Sequence, residues 1–156
     1  MPVAGAETNE RGWRWHEPWA ALVIFSALLN VVWEVLAISF YETVPSATTG
    51  HGFPVGCLLA AMGDVGITLI AYGTASAIGT RRWIFRPSIA TFATFLGIGL
   101  LVTILFEYVN VSVLHRWSYG SGMPMIAGIG TLPLLQWLVL PPIVIWLARR
   151  HLMGAQ

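Results

Sequence analysis

The sequence predicts an all-α membrane protein, a single four-transmembrane-helix bundle with short loops. Three observations lead there. Hydrophobic residues fill 56% of the 156 positions and charged residues only 10%, far below the roughly 25% typical of a soluble domain. Four apolar segments each reach the roughly 20 residues that a bilayer crossing takes. The basic residues, all eight of them arginine, sit in groups that four crossings place almost wholly on one side.

The first span is read from about Pro18 to Tyr41. A proline suits a helix start, where its missing N–H costs nothing. The segment before it holds Glu7, Glu10 and Glu17, and the apolar run exceeds the core of about 7–15 residues found in a signal peptide. Residues 1–17 are therefore expected to remain as a cytoplasmic segment. The second span runs from about Pro54 to Gly79 and the third from about Pro87 to Leu114, again with prolines at their starts. The fourth runs from about Thr131 to Ala148, followed by a tail at 149–156. Pro141 and Pro142 inside it deprive the carbonyls of Trp137 and Leu138 of their partners and predict a kink. Just before it, residues 123–133 are apolar but contain two prolines, Gly128 and Gly130. Irregular backbone at membrane depth must be buried in protein or line a wet cavity, so this stretch is read as re-entrant or as a loop resting on the lipid interface.

Arg11 and Arg14 precede the first span, Arg81, Arg82 and Arg86 separate the second from the third, and Arg149 and Arg150 follow the fourth. Only Arg116 falls on the other side. The positive-inside rule then puts both termini in the cytoplasm, and Trp13, Trp15, Trp19, Trp83 and Trp146 read as the cytoplasmic aromatic belt, with Trp117 at the outer one. The arginine-only basic set, with the richness in Ala, Gly and Trp, points to a bacterial cytoplasmic membrane. A net charge of +1 without a basic run excludes nucleic acid as a partner. Cys57 is the lone cysteine and reads as a small packed residue, since it has nothing to pair with. No cofactor is expected.

Chemistry is carried by Glu34, Asp64 and Glu107, three acids inside apolar spans. An ionised carboxylate at the bilayer centre costs on the order of 2.5–3.5 kcal/mol on insertion scales. At 1.5 Å per residue all three lie roughly 10–15 Å below the outer boundary, with Gln136 somewhat shallower. Helical spacing aligns Ser26, Asn30, Glu34 and Tyr41 on the first span, and Gly99, Thr103, Glu107 and Asn110 on the third. On the second, Cys57, Ala60, Ala61, Asp64, Thr68, Ala71 and Ala75 form a small and polar stripe that lets backbones approach. Three acids converging without a cation cannot all be ionised, so at least one is expected to carry a proton, and Arg116 is expected to reach down to one of them.

Four uses fit this pattern. The acids, Asn30, Asn110 and Gln136 can be hydrogen-bonded glue between short helices, or part of an assembly subunit of a membrane complex. They can perform acid–base chemistry on a lipid or isoprenoid, with Glu34, Asp64 and Glu107 catalytic. In that case Asn30, Trp33, Asn110, His51, His115, Arg116, Trp117, Tyr119 and Gln136 surround the substrate. They can couple proton or cation transport, in a homo-oligomer because four helices leave little room for a path. Least supported is a divalent metal held with His51 or His115, because no single helix carries ligand spacing. Membrane lipid is the constant partner. Trp33 reads first as packing, and the two histidines first as interfacial residues.

In order along the chain, Asn30, Trp33 and Glu34, then Gly63-Asp64, Glu107, Arg116-Trp117-Ser118-Tyr119, Met123-Pro124, Pro133 and Gln136-Trp137 resemble the pattern of small four-span bacterial membrane proteins of unassigned activity. A fainter resemblance is to membrane-embedded terpene and carotenoid cyclases, some of which use a Trp-Glu pair to protonate an isoprenoid. That likeness implies Glu34 as proton donor, with Asp64 or Glu107 as its partner. The present chain is shorter and has fewer spans than those cyclases.

Overall fold

The computed structural model describes residues 18–43, 53–80 and 82–154. Helix α1 covers Pro18–Ala37 and passes through a 3-10 turn, Ile38–Phe40, into a short strand β1, Tyr41–Thr43. Helix α2 covers Phe53–Ile78. After a 3-10 turn at Trp83–Phe85, Ser88 caps helix α3 (Ile89–Glu107) by accepting the Thr91 N–H at 3.1 Å. The α3 backbone then widens into a π-helical turn over Tyr108–Val113. Strands β2 (Ser118–Tyr119), β3 (Met125–Ile126) and β4 (Ile129–Gly130) lead into helix α4, Thr131–Gly154.

All four helices are long and apolar enough to cross a membrane, and they form the expected bundle. Sequence neighbours pack side by side: α1 on α2, α2 on α3, α3 on α4, and α4 back on α1. Short connections enforce this antiparallel order. The outward faces are apolar, with Leu28, Val32, Leu36, Leu59, Ile70, Leu101 and Leu105 all exposed, as suits a surface solvated by lipid. Helix α4 continues through Pro141 and Pro142. It extends past Ala148 to Gly154, with the Arg150 guanidinium stacked 5.6 Å from the Trp146 ring centroid. Cationic residues are favoured at a helix C-terminus, where the backbone dipole ends negative.

Near the 3-10 turn at Trp83, the core is aromatic. Trp19 meets Tyr72 edge-on at 4.9 Å, Tyr72 meets Trp83 at 5.4 Å, Trp83 meets Phe95 at 5.6 Å, and Phe95 meets Trp137 at 6.2 Å. Trp83 therefore departs from the sequence expectation: it is 1% exposed and belongs to the core. Its indole N–H donates to Ser76 Oγ at 3.1 Å, which makes burial of the polar edge affordable. Trp19 and Trp146 keep the exposed positions expected of an aromatic belt. Midway along the bundle, α3 and α4 approach closely at Gly99, where any Cβ would overlap the Trp137 ring.

The opposite end is closed by strands. β1 pairs antiparallel with β2, setting Tyr41 beside Tyr119, and the Gly120 N–H donates to the Phe40 carbonyl at 2.8 Å. This strap ties the end of α1 to the chain returning from α3. Residues 125–130 form a separate hairpin, Met125 opposite Gly130 and Ile126 opposite Ile129. Its two-residue turn puts Ala127 at φ 50° and Gly128 at φ 83°, the left-handed pair that matches the twist of a tight hairpin. Met125 and Ile126 are exposed, while Met123, Gly130 and Pro133 are buried. Strand pairing satisfies the backbone groups that a bare loop at this depth would leave open.

Candidate functional site

The polar residues gather in the half of the bundle next to the strap, in two networks. The first is a closed ring. The Gln136 amide on α4 donates to Asn30 Oδ1 at 2.8 Å and to Asp64 Oδ2 at 2.7 Å. Asn30 on α1 donates in turn to the Ser26 carbonyl at 2.9 Å and to Ser26 Oγ at 3.0 Å. Ser26 Oγ lies 3.1 Å from Thr68 Oγ1 on α2, and the Thr68 hydroxyl donates to the Asp64 carbonyl at 2.9 Å. Since the Thr68 proton is committed to Asp64, Ser26 must be the donor in the Ser26–Thr68 bond. Three helices are thus locked together by donors that all run towards Asp64. Ser26 and Thr68 were legible as members of polar stripes, but not as links in a ring.

A small cavity of about 10 Å³ opens beside this ring, lined by Asn30, Asp64, Thr68, Gln136, Trp137 and Leu140 among others. That is room for about one water molecule. Of the three acids, only Asp64 lines it.

The second network belongs to α3. Glu107 is buried, at 8% exposed, and its Oε2 accepts from the Tyr119 hydroxyl at 2.5 Å and from the Trp117 indole N–H at 3.4 Å. Both donors come from the strap. They fill the role expected of Arg116, which is exposed, and whose backbone N–H bonds the Asn110 carbonyl at 2.8 Å. Burial, and then the hydrogen bond to Glu107, push the Tyr119 hydroxyl above the usual phenol range; burial and the charge of Glu107 do the same to Tyr41. Gly130 supports the arrangement from behind, because a Cβ there would press on the Tyr119 ring.

Glu34 and Asp64 are half-buried. The two lie close enough for their charges to interact, and both also feel Glu107. The acids of α1, α2 and α3 thus share one electrostatic neighbourhood, with Gln136 of α4 bonded to Asp64. Along α3 the inward face carries Thr103, Glu107 and Asn110, all buried. The Asn110 amide donates to the Phe106 carbonyl at 2.7 Å. Its Oδ1, like Thr103 Oγ1, is buried without a hydrogen-bond partner. The stripe of α2 holds at Cys57, Ala61, Thr68, Ala71 and Ala75, all buried, but Ala60 turns outward.

The remaining candidates sit at the periphery. Trp33 is half-buried beside Glu34. His115 is exposed at φ 48°, its ring Nδ1 3.0 Å from the Val111 carbonyl. His51 lies outside the described residues. Among the described residues, no group of three or more His, Cys, Asp or Glu side chains is placed to hold a metal. Tyr41, aligned with Glu34 by helical spacing, stands instead on strand β1, and the π-helical turn had no sequence signal as part of the site. π-Turns inside α-helices recur at functional sites, and this one begins at the residue after Glu107. No family model, curated protein or solved structure matches this chain.

Proposed function

We propose that this multipass protein is a small proton- or cation-coupled carrier, with Glu107, Asp64 and Glu34 as the groups that take up and release the coupling ion from the outer side of a bacterial cytoplasmic membrane. The observation that carries this reading is Asp64, hydrogen-bonded by Gln136 and lining a cavity of about 10 Å³, with Glu34 and Glu107 within electrostatic reach of it. Such a space suits a water, a proton or a small cation, whereas an isoprenoid would need a pocket of hundreds of Å³. Intramembrane acids facing a bundle interior mark ion pathways by default. In this reading the ring through Asn30, Gln136, Ser26 and Thr68 is the framework that holds Asp64 in place, and Glu107 is the gate under the strap.

The test is reconstitution into liposomes with a trapped pH or Na⁺ indicator and an imposed gradient of the corresponding ion. The expected result is flux above that of empty liposomes, abolished by Glu107→Gln and reduced by Asp64→Asn and Glu34→Gln, with each variant still monodisperse. No flux above empty liposomes overturns the proposal.

A second reading, acid–base chemistry on a lipid or isoprenoid, draws on the short Tyr119–Glu107 bond and on the resemblance to membrane-embedded cyclases. It predicts that a lipophilic substrate is chemically changed in the same liposomes and that flux is absent.

A further inference from the structure

The two polar networks are not equally complete. In the ring every named donor has an acceptor: Gln136 answers both Asn30 and Asp64, and Ser26 and Thr68 close the circuit. On α3 the balance is the reverse. Glu107 sits between two buried oxygens that have no donor, Thr103 Oγ1 and Asn110 Oδ1. Thr103 is 5% and Asn110 3% exposed, so water at the surface does not supply the missing partners. A buried polar group left open costs about 1–3 kcal/mol. Two on the same helix face, either side of a carboxylate, call for something that binds oxygen.

Two features identify its chemistry. The donor atoms are all hard oxygens, from a carboxylate, an amide and a hydroxyl, which favours alkali or alkaline-earth ions over transition metals. The groups that hydrogen-bond Glu107, Tyr119 and Trp117, are both neutral, which leaves its charge to be balanced. A monovalent cation beside it gives a neutral pair, the arrangement that limits the cost of taking charge out of water.

We propose that Glu107 and Asn110, one turn apart at the strap end of α3, bind a Na⁺-class monovalent cation, with Thr103 the next oxygen one turn deeper. Tyr119 and Trp117 act as positioning residues: both donate to Oε2 of Glu107 and hold its carboxylate on the inward face. The proposal rests on the carrier reading and names its coupling ion.

Trp117 supplies a built-in reporter, since its indole bonds the proposed ligand. The experiment titrates the detergent-purified protein with NaCl against choline chloride at constant ionic strength, following tryptophan fluorescence and thermal stability together. A saturable change in both with Na⁺, absent with choline, is expected. Glu107→Gln and Asn110→Ala should abolish it, and Tyr119→Phe should weaken binding about tenfold, as loss of an outer-shell partner does. Trp117→Phe should lose the optical change while keeping the thermal one.

The proposal is overturned if Na⁺ and choline act alike, if Glu107→Gln responds as the native protein does, or if only Ca²⁺ or Mg²⁺ saturates. Failure here is separable from failure of the carrier reading. Proton flux that depends on Glu107 but ignores Na⁺ removes the ion assignment alone. Saturable Na⁺ binding without any flux removes the carrier and keeps the site.

Discussion

Around Trp83 the helices meet through rings: Trp19, Tyr72, Trp83, Phe95 and Trp137 stack in an unbroken run with centroids 4.9–6.2 Å apart. At the strap end the same helices meet through amides, hydroxyls and carboxylates. The difference follows from what lipid does as a solvent. Apolar contacts between membrane helices gain packing but little hydrophobic driving force, because lipid tails are equally apolar. Aromatic rings compensate by area and shape, and tolerate few substitutions. Hydrogen bonds between membrane helices contribute modestly, averaging about 0.6 kcal/mol, so a polar half is a poor place to seek stability. The comparison assigns stability to one half of the bundle and the proposed ion chemistry to the other.

The sharpest way to break that division is in the aromatic run. Trp83→Ala should destabilise the bundle by about 3–5 kcal/mol, the usual scale for a buried large ring, and remove one ring partner from each of Tyr72 and Phe95. Reversible unfolding in mixed micelles measures it. A loss below about 1 kcal/mol would show that the rings fill space without holding the helices. Next in size is the close approach at Gly99. Gly99→Ala sets a Cβ into the Trp137 ring, and overpacking of this kind costs about 1–3 kcal/mol. Since Trp137 also lines the cavity beside Asp64, this variant should disturb flux and stability together, the one case where the halves are expected to couple.

The polar ring should behave differently. Gln136→Leu leaves Asn30 Oδ1 and Asp64 Oδ2 without their shared donor, and should cost about 1–2 kcal/mol. Combined with Asp64→Asn, the effects should be non-additive, because the residues sit in one network. Strict additivity would mean that the ring is not a unit.

How much of this was legible beforehand divides along the same line. Hydropathy located four spans because backbone satisfaction in lipid leaves few alternatives to long apolar helices, and Glu34, Asp64 and Glu107 stood out because charge is so rare there. Helical spacing also put Thr103, Glu107 and Asn110 on one face, where the structure has them. What spacing could not supply was pairing between segments. That Gln136 reaches Asp64, 72 positions away, depends on how α2 and α4 turn towards each other. Trp83 differs for a related reason: an aromatic beside Arg82 looks like an interface residue until Ser76, seven residues earlier, gives its N–H a partner indoors. The hairpin at 125–130 was hidden by its apolar residues. Its turn is Ala-Gly, weaker than the Asn-Gly that usually announces one.

The smallest effect bears on the seam between strap and site. Tyr119 and Tyr41 are both pushed above the ordinary phenol value of about 10 by burial, with Glu107 adding to it. Because the folded protein holds these protons more tightly than the unfolded chain, the resulting stability is complete below pH of about 10 and is lost only as pH rises beyond it. Alkaline titration of tyrosine absorbance checks this. Tyr119→Phe should leave the early phase untouched and subtract from the late phase alone. It should also cost about 0.5–1.5 kcal/mol from the lost bond to Glu107. A subtraction from the early phase would place the Tyr119 hydroxyl in water, and with it the carboxylate that the strap is meant to hold.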